Sequence, residues 1–92
     1  MKVVGLGILE ETARSHADVG SQITAWLAEV NGAEWKTPQD IKKRYATASF
    51  LSDNRVVFNL KGNTYRLEVK VDYKNKIVLV KRIGTHAEYD KW

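Results

Sequence analysis

Between Arg55 and Asp72, apolar and polar side chains alternate with a period of two, interrupted at the triplet Lys61-Gly62-Asn63. Residues two apart in a strand lie on one face of a sheet, so the pattern predicts two strands that each bury one face. The triplet is a turn signal and predicts that these strands pair as an antiparallel hairpin. A chain with such a hairpin must cover one face of its sheet and leave the other polar.

The first third of the chain has helical spacing instead. Two sets of apolar and small residues recur at the spacing of one helix face: Ile8, Leu9, Thr12 and Ala13, then Ile23, Trp26, Leu27 and Val30. Gly20-Ser21 between the sets predicts a break, with Ser21 as the N-cap of the second helix. We therefore predict two antiparallel helices, at about residues 8–17 and 21–31, the second ended by Asn31-Gly32.

Three further segments complete the predicted fold. The apolar run 3–9 predicts an edge strand leading into the first helix and is too short to span a bilayer. Thr37-Pro38-Gln39-Asp40 predicts a short third helix, since threonine caps, proline suits the first position and Asp40 favours the positive helix end. Residues 77–83 are nearly all apolar, which predicts a central strand buried on both faces.

Together these elements predict one α+β domain over residues 1–92. An N-terminal strand precedes two helices and a short third helix, and all of them pack on a twisted antiparallel sheet. A chain of 92 residues buries a little over about 60% of its unfolded surface, enough for one modest core.

Charge is distributed unevenly along the chain. Residues 1–35 hold two basic and five acidic side chains, whereas residues 36–92 hold thirteen basic and six acidic ones, so their net charges are −3 and +7. The asymmetry indicates that the C-terminal part faces a polyanion, although ordinary solvated charge gives the same composition. The absence of cysteine excludes disulfides and thiolate zinc sites and agrees with a reducing cytosol.

The polar face of the predicted sheet is the first candidate site. It collects five side chains from the hairpin, with Arg82 joining them if its register agrees: Asn59, Lys61, Arg66, Glu68 and Lys70. Arginine offers a planar bidentate fork and lysine a point charge, so this face suits a phosphodiester. A solvated face with cross-strand ion pairs through Glu68 fits the same residues.

The second candidate is His86, the only group of the C-terminal part that titrates near neutrality. Thr85, Glu88, Tyr89 and Asp90 surround it in sequence with hydroxyl and carboxylate groups. A surface histidine without a chemical role is the competing interpretation. Two histidines in the whole chain are too few for an all-histidine metal site, which leaves only a carboxylate-assisted ion open.

The remaining candidates are the basic third helix and the tryptophans. The third helix exposes Lys42, Lys43 and Arg44. Trp26 is expected in the core and Trp35 as a cap over the helix ends, while Trp92 is free to stack on a base. The chain has no cysteine nucleophile, no Gly-x-Ser-x-Gly elbow, no phosphate-binding glycine loop and no His-Glu-x-x-His helix.

Three segments resemble the HigB toxins, a family within the RelE-like group of bacterial toxin–antitoxin ribonucleases. They are Trp35-Lys36-Thr37-Pro38 with Asp40-Ile41-Lys42, Arg55-Val56-Val57-Phe58-Asn59-Leu60-Lys61-Gly62-Asn63-Thr64-Tyr65-Arg66-Leu67, and Gly84-Thr85-His86-Ala87-Glu88-Tyr89-Asp90. The resemblance covers nearly the whole chain in order. Its Phe-Asn-x-x-Gly-Asn-x-Tyr-Arg-Leu and Gly-Thr-His-x-Glu-Tyr-Asp blocks are specific.

The resemblance implies a cytoplasmic endoribonuclease that cuts mRNA, usually on the ribosome, and is neutralised by a HigA-type helix-turn-helix antitoxin. It implies a reaction without metal or other cofactor, in which the 2′-hydroxyl attacks the neighbouring phosphate. It further implies that Arg66 binds the phosphate and that His86 and Tyr89 supply acid/base and base-stacking groups. RNA-binding residues are expected among Asn59, Lys61, Lys70, Arg82, Lys42, Lys43 and Arg44.

Two alternatives belong to other classes. A non-catalytic RNA- or ribosome-binding module would use the same basic face and leave the RNA intact. An interaction protein would instead dock another chain through Trp26, Trp35 and the helices.

Overall fold

The computed structural model describes all residues, 1–92, as one strand, three helices, four further strands and a final helical turn. The elements are β1 Lys2–Val4, α1 Leu6–Ser15, α2 Ala17–Asn31, α3 Pro38–Arg44, β2 Ser49–Phe50, β3 Arg55–Leu60, β4 Tyr65–Asp72, β5 Ile77–Thr85 and α4 His86–Tyr89. This arrangement confirms the predicted α+β fold. None of the helices is long and apolar enough to cross a membrane.

The five strands form one sheet in the order β1-β5-β4-β3-β2. The predicted hairpin is confirmed: β3 and β4 pair antiparallel, with Asn59 opposite Arg66, and β5 continues the meander antiparallel to β4. β1, however, runs parallel to β5, with Val3 opposite Val78. The sheet is therefore mixed: the predicted antiparallel meander is confirmed, and the predicted N-terminal edge strand joins it in parallel.

The first two helices break four residues earlier than predicted. α1 ends at Ser15 and α2 begins at Ala17, with His16 between them at φ −132°, so Ser21 lies inside α2 and is not a cap. The reason is burial: Val19 is completely buried and extends the apolar stripe of α2 past Gly20. The predicted strand 3–9 is also shorter, because Gly5 turns the chain at φ +95° and α1 begins at Leu6.

One face of the sheet packs on the helices. Its central side chains are fully or almost fully buried: Val56, Phe58, Leu67, Val69, Val71, Val78 and Val80. Trp26 meets Phe58 edge to face at 5.4 Å, and Trp35 stacks on the same ring at 6.1 Å. Because Trp26 and Trp35 are only 2% and 5% exposed, the interpretation that they form a docking surface was wrong.

β5 is not buried on both faces, as its apolar sequence suggested. Val78 and Val80 face the helices, whereas Leu79 is 36% exposed. A β-bulge then interrupts the pairing with β4: Val80 lies opposite Val69 and Arg82 opposite Glu68, which leaves Lys81 as the extra residue. The bulge shifts the alternation by one residue, so Arg82 lies on the face away from the helices.

Candidate functional site

The sheet face opposite the helices carries most of the predicted polar residues. The register places Asn59 beside Arg66, Arg55 beside Lys70, and Glu68 between its neighbours Val57 and Arg82. These seven residues are called the open face below. The predicted gathering of Asn59, Arg66, Glu68 and Lys70 on one face is confirmed, and Arg82 joins it because of the bulge.

The segment after β5 folds over one end of the open face. The backbone N–H of Thr85 donates to Oε1 of Glu88 at 2.8 Å, and the backbone N–H of Glu88 donates to Oγ1 of Thr85 at 3.3 Å, which is a capping box. These hydrogen bonds, led by the one from the Thr85 backbone, lower the pKa of the Glu88 carboxyl. The backbone N–H of His86 also donates to the Thr64 carbonyl at 3.0 Å. The segment is thus fastened both to itself and to the start of β4.

This folding brings Arg66, His86 and Tyr89 together. Nη2 of Arg66 donates to Nδ1 of His86 at 2.9 Å, while Nη1 donates to the Asn63 carbonyl at 2.8 Å. The guanidinium carbon of Arg66 is 5.5 Å from the centre of the Tyr89 ring. The three residues are called the Arg66 centre below.

The hydrogen bond between Arg66 and His86 determines the tautomer of the imidazole. A guanidinium has only donors, so Nδ1 must be the acceptor, and a neutral His86 carries its proton on Nε2. Nε2 lies 3.6 Å from Oδ2 of Asp90. The His86 side chain is 56% exposed, so a substrate can reach the ring. A cation, an imidazole and a phenol in one group can stabilise a phosphoryl anion and transfer protons.

A groove runs from the Arg66 centre across the open face. It has a volume of about 370 Å³ and is called the Trp92 groove; its lining residues are Leu51, Arg55, Glu68, Arg82, Tyr89, Asp90 and Trp92. Glu68 is 4% exposed and lies 3.3 Å from Arg82 and 4.0 Å from Arg55. The cross-strand ion pairs expected of Glu68 are therefore present.

Sequence reasoning gave no site role to Arg55, named Glu68 only as an ion-pair partner on the polar face, and left Trp92 free to stack on a base. Trp92 lies over the guanidinium of Arg82 at 4.3 Å and meets the Tyr89 ring edge to face at 5.2 Å. The period of two does place Arg55 on the same face as Asn59, which is a usable signal. Nothing in the sequence pattern indicates that Trp92 folds back on Arg82.

Lys61 does not lie on the open face, so its predicted position was wrong. Its Nζ pairs with Oδ2 of Asp18 on α2 at 2.8 Å, and the Tyr65 hydroxyl donates to the same carboxylate at 3.1 Å. The Lys61 hydrogen bond lowers the pKa of Asp18 and raises that of Lys61. The reason is the backbone: Lys61 has φ +50° in the turn, so its side chain no longer follows the strand alternation.

The other predicted basic residues lie away from the Arg66 centre. Lys70 pairs with Asp53 at 3.3 Å and is four residues along β4 from Arg66, about 13 Å at strand spacing. α3 belongs to the helix layer, since its Ile41 is fully buried in the core. Lys42 there donates to the Ala48 carbonyl at 3.0 Å, and Arg44 pairs with Glu29. The structure does not bring Lys42, Lys43 or Arg44 to the open face.

The side chains of this site suit an anion more than a metal ion. No group of three or more histidine, aspartate or glutamate side chains is arranged to hold a metal ion. Asn59 lies beside Arg66 on the open face, and its side-chain amide nitrogen donates to the Thr47 carbonyl at 3.1 Å. Arg55, Arg66 and Arg82 are the arginines with which this site can bind an anion.

Known proteins resemble this chain over most of its length. Residues 19–92, from α2 through α4, match the family described as HigB_toxin, RelE-like toxic component of a toxin-antitoxin system. The chain is also similar to the mRNA interferase HigB of Escherichia coli O6:H1 strain CFT073. The two are 26% identical over 93 residues, which cover 99% of this chain and 90% of the relative.

Proposed function

Since this chain belongs to the HigB family of RelE-like toxins of toxin–antitoxin systems, we propose that it is an endoribonuclease that cleaves mRNA. The observation that carries the proposal is the Arg66 centre, where a guanidinium, an imidazole and a phenol meet on an accessible cationic face. The mRNA interferase named among its relatives supports RNA as the substrate.

The proposed reaction is a transesterification within the RNA. The 2′-oxygen attacks the neighbouring phosphorus, the bond from phosphorus to the 5′-oxygen breaks, and the products carry a 2′,3′-cyclic phosphate and a 5′-hydroxyl. A base takes the proton of the 2′-hydroxyl and an acid supplies one to the departing 5′-oxygen. Arg66 offsets the charge that develops on the phosphoryl oxygens.

His86 and Tyr89 are the proposed proton carriers. In the free protein the Nδ1 lone pair of His86 is occupied by Arg66. A phosphate is a charged acceptor and forms stronger hydrogen bonds with a guanidinium than imidazole does, so it draws Arg66 towards itself and frees Nδ1. Substrate binding then exposes the proton acceptor, and Tyr89, whose ring centre lies 5.5 Å from the Arg66 guanidinium carbon, supplies the second group.

The partners follow from the same proposal. A toxic component of a toxin–antitoxin system needs an antitoxin, and we propose a helix-turn-helix protein of the HigA type. The substrate is mRNA in the cytoplasm, cut while it lies on the ribosome. The net charge of +7 over residues 36–92 supports association with polyanionic RNA.

Cleavage and its ribosome dependence can be tested together. Purified protein is incubated with naked mRNA and with the same mRNA on translating ribosomes, and new 5′ ends are mapped. We expect discrete cuts with 5′-hydroxyl ends in the ribosome sample. Intact RNA in both samples, bound with a steep salt dependence, would identify a non-catalytic binding module instead. Cleavage at the same rate in both samples would support nuclease activity and would show that the ribosome is not required.

A further inference from the structure

We propose that the Trp92 groove is a second nucleotide subsite, which binds the phosphate and base of an RNA nucleotide next to the one cut at the Arg66 centre. The inference rests on the proposed function and extends it to residues beyond the reacting groups. It assigns Arg55 and Arg82 to the phosphate, Trp92 to the base, and Glu68 to the orientation of the two arginines.

The floor of the groove is a buried carboxylate between two arginines. Glu68 is 4% exposed although it lies on the face away from the helices. Burying a carboxylate is unfavourable unless it is paired and hydrogen-bonded, and Arg55 and Arg82 are the cations that pair with Glu68. One negative and two positive charges leave the cluster with a net charge of +1, which suits one phosphodiester.

The arginines retain donors for a ligand. Among the protein's acceptors Arg82 donates only to Glu68, and a guanidinium has five N–H groups. The Arg82 side chain is 45% exposed and that of Arg55 is 34% exposed, so both reach the groove. Asp90, on the rim, repels a phosphate placed beside it. The phosphate is therefore expected at the Arg55–Arg82 end of the groove.

The aromatic wall suits a base. Trp92 is 36% exposed, whereas Trp26 and Trp35 are buried. Its ring already stacks on the planar guanidinium of Arg82 at 4.3 Å, an arrangement that a nucleobase can replace or extend. Stacking of bases on aromatic rings is the usual way in which proteins hold single-stranded RNA without reading its sequence.

Size and position also favour a nucleotide adjoining the reacting one. The groove volume of about 370 Å³ is at the lower end of the range of pockets that take small molecules, about 300–1,000 Å³. Tyr89 lines the groove and also lies 5.5 Å from the guanidinium of Arg66. A single RNA strand can thus pass from the Arg66 centre into the groove without leaving the protein surface.

The subsite is tested with RNA that cannot react. Oligonucleotides of two, three and four nucleotides with 2′-O-methyl groups are titrated into the protein, and dissociation constants are measured by calorimetry. For the wild type we expect affinity to rise about tenfold at the length that first reaches the groove. Arg82→Ala and Trp92→Ala should lose this rise, and the neighbouring Lys81→Ala, which removes the same charge outside the groove, should keep it.

The intrinsic fluorescence of Trp92 gives a second measurement. Because the other two tryptophans are buried, acrylamide quenches mainly Trp92. The longer oligonucleotides should protect this residue from acrylamide, and the Trp92→Phe variant should show no protection. Protection by the shortest oligonucleotide alone, or none at any length, would overturn the assignment of Trp92 to the base.

Loss of folding is separated from loss of binding by melting temperature. Arg82→Ala leaves Glu68 with only the more distant Arg55, so this variant can lose stability; Trp92→Ala changes no core residue and remains a valid test. The subsite is refuted if both variants retain the wild-type rise in affinity. Failure of the proposed function is distinct, since it would appear as uncut mRNA with the wild type.

Discussion

Arg66 and His86, two of the proposed site residues, are hydrogen-bonded to each other in the free protein. The 2.9 Å hydrogen bond from Nη2 of Arg66 ends on Nδ1 of His86, and the second terminal nitrogen of Arg66 is held by the Asn63 carbonyl. In the free protein the proposed proton acceptor is therefore covered, and Arg66 has two of its hydrogen-bond donors occupied. Release of both requires a better acceptor than imidazole, such as a phosphate.

Replacing His86 by alanine should abolish cleavage and leave the fold intact. We expect a loss of about 10²–10⁴-fold, the usual contribution of acid/base catalysis, and an unchanged melting temperature because the side chain is 56% exposed. His16→Ala is the matched control and should cut normally. Growth arrest by His86→Ala in cells without antitoxin would refute the role given to His86.

Replacing Arg66 by alanine should lower cleavage by about 10²–10³-fold, the range for removal of one group that stabilises a developing anion. The cleavage rate of Arg66→Lys should lie between those of the wild type and Arg66→Ala, because lysine keeps the charge and loses the planar bidentate fork. Arg14→Ala, an exposed arginine of α1, serves as control. Single-turnover rates and melting curves are compared; a collapse in melting temperature would mean that Arg66 is structural.

Gly84→Ala should disturb the C-terminal segment 85–92, which contains α4 and Trp92. An added Cβ would lie 3.1 Å from Cβ of Glu88 and 3.2 Å from Cζ2 of Trp92, so the cap and the Trp92 stack must shift. We expect a lower melting temperature and stronger acrylamide quenching of Trp92. Gly7→Ala meets no atom within 4 Å and should stabilise α1 by up to about 1 kcal/mol. Equal quenching in Gly84→Ala and the wild type would contradict the packing described.

Acid should loosen the C-terminal segment 85–92 through Glu88. The pKa of Glu88 is lowered by the backbone hydrogen bond from Thr85. A carboxyl whose pKa is lower in the folded state adds stability above its ordinary pKa of about 4.5, and this stability is lost as the pH falls through the lowered value. Glu88→Gln does not titrate, so its melting temperature should fall less than that of the wild type between pH 5 and pH 3, a range chosen about that ordinary value. Parallel pH profiles would show that the capping box contributes nothing.

The parts of the fold that depend on local patterns could be predicted from the sequence. The alternation from Arg55 to Asp72 determined the hairpin and its register, because its turn residues fix the pairing. The position of the break between α1 and α2 could not be predicted in this way. Gly20 suggests a helix end, but Val19 is buried in the core and α2 continues through Gly20. Tertiary packing outweighed the local signal there.

The candidate site was predictable to a similar degree. The residues alone indicated a cationic face and one histidine, and the family resemblance added that Arg66, His86 and Tyr89 act together. Lys61 was misplaced because a left-handed turn residue breaks the period of its strand. The pairing of Glu68 with Arg82 depends on the bulge in β5, which a nearly uniform apolar sequence does not reveal.

The bulge at Lys81 divides β5 into two halves in which the alternation of inward and outward side chains is shifted by one residue. Ahead of it, the even-numbered Val78 and Val80 face the helices; beyond it, the even-numbered Arg82 and Gly84 face outward, where they meet Glu68 and Trp92. Without the bulge, a regular pairing of all residues would place Lys81 opposite Glu68 and Arg82 opposite Leu67, on the face that packs on the helices. The extra residue thus separates two halves of one strand: the first is constrained by packing on the helices, and the second by the proposed contact with RNA.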